Sequence, residues 1–376
     1  MPQMPGNRKI SFDCRHFIGD RPCKPHKETG ALCGSCRSYD PVQKRVLIIK
    51  LDAVGDVLRT TSILPALREK YPGSRITWIT KGPSLPLFFN NPCVERVFDL
   101  ADAGLVLGTD EFDLVINLDA SPLSSRLAAM ARGGEKLGYL YSEKGNVHPA
   151  NAEALEWFLL GIFDDLKKEN RKTYQAIALE ICGLPPGSDK RPILVLGEEE
   201  GRLALDFARK SGLKGSPVFG FNTGAGGRWE HKKWTMEGYL NLARLLKKEF
   251  PDCAILLYGG PEERERNARL KESFPEFIDT GTGNSLREFS SLIGLCDLLV
   301  TGDTLAMHIA IALKKKLVVL FGPTSAPEIE LYGSGEKLVP DVPCVSCYRA
   351  SCDVSPTCME GIRPEEVYRA VKRLLD

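Results

Sequence analysis

The strongest constraint on this chain is a pattern that occurs twice, in which short apolar runs alternate with longer amphipathic stretches. In the first half, the apolar runs are RVLIIKL, RITWIT, ERVFDL and FDLVINLD. Uninterrupted runs of this kind are typical of strands that are buried on both faces. The periodicity of the other stretches predicts helices at 56–71, 121–132 and 151–182. Strands that alternate with helices predict an open, parallel α/β sheet.

The pattern stops at GLPPGSDKRP, residues 183–192, where Pro and Gly favour a linker, and then restarts. The later runs that predict strands are PVFGFN, CAILLYGG, CDLLVTGD and KLVVLFGPT. Helices are expected at 235–250, 262–274, 285–295, 303–313 and 364–375. We therefore expect an α/β protein with two tandem, doubly wound, Rossmann-like domains and a small Cys-rich appendage. The expected boundaries are 1–44 for the appendage, 45–185 and 186–340 for the domains, and 341–376 for a Cys-containing tail with the last helix.

Length and charge exclude several classes of protein. The chain has 376 residues, enough for two domains with cores of their own. Its formal net charge is +1, so no global positive field marks a nucleic-acid binder. No apolar run approaches the roughly 20 residues that span a bilayer, and the N-terminus lacks the apolar core of a signal peptide. We expect a cytoplasmic protein without a nucleic-acid partner.

The chain has twelve cysteines, and most of them lie in two clusters. The first cluster contains Cys14, Cys23, Cys33 and Cys36, and the second contains Cys344, Cys347, Cys352 and Cys358. Both include a Cys-x2-Cys spacing, which in a reducing compartment indicates metal binding before disulfides. Residues 1–44 can bury little apolar surface, so thiolates around a structural zinc or iron ion would stabilise them.

Alternatives remain open at both clusters. An iron–sulfur cluster fits the same spacing, and His16 and His26 are spare ligands beside the first cluster. At the second cluster, unpaired thiols in a loop are an equal alternative. The two clusters could also share ligands in one site.

Two stretches of the second half are typical of phosphate sites. NTGAGGRWEHKKW, residues 222–234, combines glycines that let the backbone approach a ligand with Arg228, Lys232 and Lys233. Thr223 and Gly224 at its start are candidate donor contacts, and the helix that follows adds a positively polarised N-terminus. In LLVTGDTLAMHIAIAL, residues 298–313, a strand ends at a helix that begins with free amides. The alternative for the first stretch is a basic surface loop. The alternative for His308, in the second stretch, is a core histidine whose hydrogen bonds are satisfied.

Carboxylates follow two other strands. Glu262 and Glu263 come after LLYGG, where acids could hold ribose hydroxyls or simply begin a helix. Asp56 follows Gly55 in KLDAVGDVLRTTSILPAL, at the end of the first strand. It can be a helix cap worth about 0.5–2 kcal/mol, or the base that takes a proton from a sugar hydroxyl. Ligands of such sheets bind beyond the carboxyl ends of the strands, so we expect the site in a cleft between the two halves.

Several of these stretches resemble the ADP-heptose heptosyltransferases, which build the inner core of lipopolysaccharide. RVLIIKLDAVGDVLRTTSILPALREKYPGSRITWIT is similar to the family's opening strand, Gly-Asp-Val loop and helix. HKKWTMEGYLNLA resembles its Lys-x-Trp-Pro segment, and GDTLAMHIAIALKKKLVVLFGPT resembles its Asp-Thr-Gly-x-x-His signature. CVSCYRASCDVSPTCMEGIRPEEV resembles a cysteine-containing tail seen in many members. The resemblance covers about residues 45–376 and leaves the first cysteine cluster outside the usual family pattern.

The resemblance implies an inverting glycosyltransferase of the B architecture that needs no catalytic metal. Its first domain would bind the acceptor, its second would bind a nucleotide-sugar donor such as ADP-heptose, and its last helix would return toward the first domain. Asp56 would be the general base, and Lys232 would contact the donor phosphates. The other donor-site residues implied are Asp303, Thr304, His308 and either Glu262 or Glu263. Leu305 stands where the family has Gly, which leaves less room for backbone to approach a diphosphate.

The implied acceptor is a lipopolysaccharide core or another glycan or glycolipid, which is compatible with peripheral contact at the inner membrane. Two other functions stay open. One is a metal-binding sensor or scaffold on an inactive transferase fold. The other is a nucleotide-sugar-modifying enzyme, such as an epimerase or dehydrogenase, which the absence of Gly-x-Gly-x-x-Gly after either first strand disfavours.

Overall fold

The computed structural model describes residues 9–186, 190–213, 217–227, 230–349 and 351–376. Within them lie two six-stranded sheets. The strands of the first sheet are β1 (Lys44–Ile49), β2 (Ser74–Thr80), β3 (Arg96–Asp99), β4 (Glu111–Asn117), β5 (Arg132–Tyr141) and β6 (Val147–Pro149). The strands of the second sheet are β7 (Val218–Asn222), β8 (Ala254–Tyr258), β9 (Ile278–Asp279), β10 (Leu298–Gly302), β11 (Lys316–Leu320) and β12 (Gly335–Leu338).

Both sheets have the same strand order. It is β3-β2-β1-β4-β5-β6 in the first and β9-β8-β7-β10-β11-β12 in the second. The described pairs are parallel apart from β5 with β6, which are antiparallel. In each sheet the order reverses next to the first strand, and a crevice at the carboxyl ends of the strands opens there. The predicted fold class, two Rossmann-like α/β halves in tandem, is confirmed.

Helices cover the faces of both sheets. Those before and within the first half are α1 (Lys24–Thr29), α2 (Val54–Thr60), α3 (Leu64–Lys70), α4 (Ala103–Thr109), α5 (Pro122–Met130), α6 (Ala152–Ile162), α7 (Asp164–Glu169) and α8 (Tyr174–Ile181). Those of the second half are α9 (Glu198–Lys210), α10 (Met236–Glu249), α11 (Arg264–Ser273), α12 (Leu286–Ile293), α13 (Leu305–Ala312) and α14 (Pro364–Leu375). No helix of the described residues is both long and apolar enough to cross a membrane.

Two helices predicted as continuous are interrupted. A turn of 3-10 helix at Thr61–Ile63 separates α2 from α3, where Pro65 supplies no N–H for the helical ladder. The stretch predicted as 151–182 forms α6, α7 and α8 instead. The last of these begins afresh at Thr173, whose hydroxyl accepts from the N–H of Ala176 at 3.2 Å.

Strand β5 was not predicted, because its sequence RGGEKLGYLY is rich in glycine. Two of those glycines are required by the sheet itself. A Cβ at Gly133 or Gly138 would overlap the backbone oxygen of Phe112 or Asn117 on β4. Glycine therefore marks close backbone approach here rather than a loop.

A continuous apolar core joins the two halves. One buried cluster contains Val57 and Leu58 of α2 together with Ala306 and Ile309 of α13. These two helices begin at the carboxyl ends of β1 and β10, so their packing brings the two crevices face to face. A second cluster fills the other face of the second sheet.

The structure corrects the expected return of the last helix toward the first domain. Val367, Ala370 and Val371 of α14 are buried in the second cluster, against α10. An ion pair between Lys372 and Glu249, 2.6 Å apart, closes the edge of this contact. The loop before α14 reaches the first half instead, because Lys167 of α7 lies over the ring of Tyr348 at 3.6 Å.

Candidate functional site

The starts of α2 and α13 meet across the two halves at Gly55. A Cβ added there would lie 2.8 Å from Cδ2 of His308 and 3.6 Å from Cα of Leu305. Only a residue without a side chain allows this approach. The Gly-Asp pair and the histidine, which sequence motifs placed in separate halves, therefore belong to one site.

Asp56 has the hydrogen bond expected of a helix start and also a strong charge partner. One carboxylate oxygen accepts from the N–H of Ala53 at 3.2 Å, and the other lies 2.8 Å from the guanidinium of Arg59. Burial alone would raise the pKa of Asp56, but Arg59 and Lys50 lower it to about 2. The carboxylate is therefore ionised at neutral pH and is held at the junction of the halves.

Two basic residues that sequence reasoning did not assign surround Asp56. The guanidinium of Arg59 stacks on the buried ring of Tyr174, 3.9 Å from its centroid. Lys50 is buried, forms an ion pair with Asp119, and donates to the carbonyl of Asp52 at 2.9 Å. Burial would lower the pKa of Lys50, but Tyr174, Asp119 and Asp56 raise it above its usual value. The signals were available in the sequence: a lysine that ends a buried strand, and an arginine three residues after Asp56.

Asp303 and Lys232 form an ion pair at the carboxyl end of β10. The Nζ of Lys232 lies 3.2 Å from a carboxylate oxygen of Asp303 and donates to its backbone carbonyl at 3.3 Å. Burial would raise the pKa of Asp303, but the charge of Lys232, together with smaller effects of His308, Thr324 and Arg59, lowers it. The predicted cation and the predicted strand-end acid therefore contact each other in the structure.

His308 is buried behind this pair. Burial and the charge of Arg59 lower its pKa to about 4, so its imidazole is neutral at pH 7. Its Nδ1 atom is buried and has no hydrogen-bond partner among the described residues. The histidine thus supplies a neutral polar ring, rather than a cation, at the contact with Gly55.

A cavity of about 440 Å³ opens between the two halves beside these residues. We call it the glycine cavity, because glycines of the β7 and β8 ends form its floor. It is lined by Val54, Pro83, Asn222, Gly224, Ala225, Gly226, Gly259, Gly260, Glu262, Glu263, Asn284, Leu286, Phe289, Thr304, Leu305 and Ala306. Its size lies within the range of small-molecule sites, and it has both an apolar wall and polar edges.

Some of the predicted donor residues line this cavity, and the others lie outside its lining. Gly224, Glu262, Glu263 and Thr304 line it. Glu263 is buried, lies 3.2 Å from Lys233, and accepts from the N–H of Gly260, so it is fixed in place. Glu262 is exposed.

Thr223 takes a different position. Its hydroxyl is buried and donates to Asn267 at 2.5 Å and to the carbonyl of Tyr258 at 3.2 Å, which ties down the start of the loop. Arg228 of the same loop lies outside the described residues.

A second cavity, of about 350 Å³, is bordered by Arg59, the ion-pair partner of Asp56. We call it the aromatic cavity; it is lined by Arg59, Ala120, Trp157, Phe158, Leu160, Gly161, Ile162, Lys167, Glu328 and Tyr348. The hydroxyl of Tyr348 donates to Glu328 at 3.0 Å, and burial raises the pKa of this glutamate. Sequence reasoning missed this cavity, because its walls come from α2, α6, α7 and three separate loops.

The cysteine clusters lie at two separate places. Cys14, Cys23, Cys33 and Cys36 border one small cavity in the N-terminal segment. The second cluster lies near Gly322, where an added Cβ would come within 2.5 Å of Cys358 Sγ. Burial raises the pKa of Cys358, and its neighbours Cys347, Cys352 and Cys344 raise it further.

All twelve cysteines, each within the described chain, are free thiols. Across the same residues, no group of three or more His, Cys, Asp or Glu side chains is arranged to hold a metal ion. Metal binding stays a prediction.

Comparison with known families decides what kind of protein carries this site. The model described as glycosyltransferase family 9 (heptosyltransferase) matches residues 103–357, more than half of the chain. The chain belongs to glycosyltransferase family 9. Its members are transferases, so the two facing Rossmann-like halves are those of a glycosyltransferase. The matched residues begin after α2, and the comparison therefore assigns no role to Asp56.

Individual relatives agree with this family assignment. Lipooligosaccharide heptosyltransferase 2 of Haemophilus influenzae is 26% identical over 304 residues, which cover 74% of this chain and 84% of that protein. A family 9 glycosyltransferase structure from Veillonella parvula aligns with a TM-score of 0.68 at 20% identity, over 89% of this chain and 97% of the other. The E. coli ADP-heptose lipopolysaccharide heptosyltransferase II structure aligns with a TM-score of 0.65 at 20% identity, over 88% and 98%. At these identities the two structures support the fold alone.

Proposed function

We propose that this family 9 transferase moves heptose from ADP-heptose to a lipopolysaccharide-core acceptor, with inversion at the anomeric carbon. The observation that carries the proposal is the position of Asp56. On the single helix α2, Val54 lines the glycine cavity and Arg59 lines the aromatic cavity, with Asp56 between them. We infer that this ionised carboxylate acts where a donor in one cavity meets an acceptor in the other.

The glycine cavity suits a nucleotide diphosphate. Leu286 and Phe289 offer an apolar wall for a base, and the exposed carboxylate of Glu262 can accept from ribose hydroxyls. Gly224 and the first turn of α13, at Thr304, present backbone N–H groups to the phosphates. The relative from E. coli is titled an ADP-heptose heptosyltransferase, which favours ADP-heptose among nucleotide sugars.

The aromatic cavity suits an acidic or phosphorylated sugar. Trp157 and Tyr348 offer rings on which a sugar face can pack, while Arg59 and Lys167 supply positive charge. The relatives named as lipooligosaccharide and lipopolysaccharide heptosyltransferases point to a core acceptor of that kind. A lipid-linked acceptor would bring the enzyme to the cytoplasmic face of the inner membrane.

The chemistry follows from this arrangement. The acceptor hydroxyl attacks the anomeric carbon while Asp56 takes its proton, and the bond from that carbon to the diphosphate oxygen breaks. The electron pair leaves with the diphosphate, whose growing charge Lys232 and the amides of α13 stabilise. Lys232 must then exchange part of its contact with Asp303 for the leaving group. Charge stabilisation of this kind assigns no step to a metal ion.

The test is acceptor-dependent turnover by the purified full chain. ADP-heptose is incubated with a truncated lipopolysaccharide core, with and without EDTA, and ADP release and the product's anomeric configuration are measured. We expect ADP release that requires the acceptor and survives EDTA, and a product of inverted configuration. Retained configuration, or acceptor-dependent turnover of UDP- or GDP-sugars but not of ADP-heptose, would overturn the proposal.

A further inference from the structure

The N-terminal segment, residues 9–43 of the described chain, is held together by very little apolar packing. Its large apolar side chains Phe12, Ile18 and Leu32 are 59%, 55% and 50% exposed. Within this segment the buried apolar side chains are Cys14 and Pro25. Its regular structure consists of α1, one turn of 3-10 helix at Cys33–Ser35, and a single bridge between Cys14 and Pro41. A segment of this size and composition needs another source of stability.

The interior of this segment is made of thiols. Cys14, Cys23, Cys33 and Cys36 all border one small space of about 20 Å³, which His16 also lines. A space of roughly 10–15 Å³ holds one water-sized sphere. The cavity therefore already has room for a single ion.

The local backbone places the four cysteines beside this space. Cys33 and Cys36 flank a tight turn in which the N–H of Ser35 donates to the carbonyl of Leu32 at 2.9 Å. Cys23 is the N-cap residue before α1, but its thiol makes no capping hydrogen bond. His26 is engaged elsewhere, because its Nδ1 lies 2.9 Å from the carbonyl of Ala31. The thiols thus remain available as ligands while the nearby histidine holds a turn.

We propose that these four cysteines bind one zinc ion, which takes the place of a core in the N-terminal segment. Four sulfur ligands in a tetrahedron are the preferred set of structural zinc. The four thiols border the cavity without yet forming a ligand group. Binding therefore requires side-chain rotation that points the sulfurs inward.

The surrounding charges favour such a site and tie it to the first sheet. A zinc ion with four thiolates carries a charge of −2, and cations that contact the segment offset it. The guanidinium of Arg75 donates to the carbonyls of Cys14 and Arg15, each at 3.3 Å. Arg15 in turn donates to the carbonyl of Ser74 at 2.8 Å and pairs with Glu95. These contacts lie at the amino ends of β2 and β3, whereas both cavities lie at the carboxyl ends of the strands, so the ion has a structural role.

The experiment measures metal content in the full chain, purified without a metal-binding tag. Zinc and iron are quantified in wild type, Cys33→Ser/Cys36→Ser and the control Cys93→Ser, a half-buried thiol outside both clusters. We expect one equivalent of zinc fewer in the double variant than in wild type, and no change in the control. Equal zinc in wild type and the double variant, or iron in place of zinc, would overturn the proposal.

A second measurement covers the case in which the double variant does not fold. In a Cys344→Ser/Cys347→Ser background, which removes the other Cys-x2-Cys pair, the chelator-treated protein is titrated with Co²⁺. We expect one equivalent to give the absorption of tetrahedral cobalt thiolate and to protect four thiols from a thiol reagent. The same addition should raise the resistance of the N-terminal segment to trypsin and leave donor turnover unchanged. Four thiols that stay reactive with Co²⁺ present would refute the site.

Discussion

Replacing Arg59 with Gln tests whether the carboxylate of Asp56 is the base, because the two groups form an ion pair at 2.8 Å. In the structure burial raises the pKa of Asp56, and Arg59 is the largest of the influences that bring it down to about 2. Without the guanidinium, this pKa should rise toward its ordinary value of 3.8, because burial is then opposed by fewer favourable interactions. The substitution thus changes the proton affinity of the proposed base while Asp56 itself stays in place.

The expected magnitude follows from these values. At pH 3, a carboxyl with a pKa of about 2 is roughly nine-tenths ionised, whereas one at 3.8 is less than about one-fifth ionised. The acid limb of kcat/KM should therefore move to higher pH in Arg59→Gln, by about 1.8 pH units if the pKa returns to its ordinary value. The assay is ADP release between pH 3 and pH 9, with each sample returned to pH 7 to confirm that the fold survived. An acid limb at the same pH in both proteins would refute the assignment of Asp56 as base.

The same ion pair makes a linked prediction for stability. Because the folded pKa of Asp56 is lowered, its contribution to stability is fully present above pH 4 and is lost as the pH falls toward about 2. Arg59→Gln should therefore have a lower melting temperature than wild type at pH 7. The difference in melting temperature between the two proteins should become smaller below pH 3. A difference that stays constant from pH 7 to pH 2 would contradict the linkage.

Asp56→Asn provides the matched control for the cap interpretation. The amide oxygen can still accept from the N–H of Ala53, so the cap is retained while the base is lost. We expect turnover to fall by about 10²–10⁴-fold with donor affinity unchanged. Asp52→Asn changes an exposed carboxylate in the same loop and should have little effect on turnover. Activity of Asp56→Asn within about threefold of wild type would leave Asp56 as a cap only.

Four further substitutions test the donor side and the contact between the halves. Lys232→Ala should raise KM for the donor more than KM for the acceptor; equal increases would count against its place at the diphosphate. Glu262→Ala should weaken donor binding with little change in melting temperature. Glu263→Ala removes one partner of a buried ion pair and should cost about 3–5 kcal/mol of stability. If Glu262→Ala instead lowers stability and Glu263→Ala weakens donor binding, the two assignments are reversed. Gly55→Ala places a methyl group 2.8 Å from a buried imidazole and should cost about 1–3 kcal/mol and reduce turnover. The control Gly104→Ala, on α4, meets nothing within 4 Å and should be neutral or stabilising.

The sequence identified elements whose signal is local. Buried strands such as β1 and β10 contain uninterrupted apolar runs, at 46–49 and 298–300, which are visible without a structure. The start of α2 at a Gly-Asp pair and the glycine-rich loop after β7 were visible for the same reason. Prediction failed where one residue type is typical of two structures. Glycines are common in loops, but those of β5 allow close approach between neighbouring strands.

The tertiary structure decided which of these residues meet. Asp56 and His308 are 252 positions apart, and only the packing of α2 against α13 brings them together, because Gly55 has no side chain to keep the helices apart. Arg59 was an ordinary helical arginine in the sequence. Its burial against Tyr174 makes its charge strong enough to control the carboxyl beside it. A charge gains this influence from the exclusion of water, which no single stretch of sequence records.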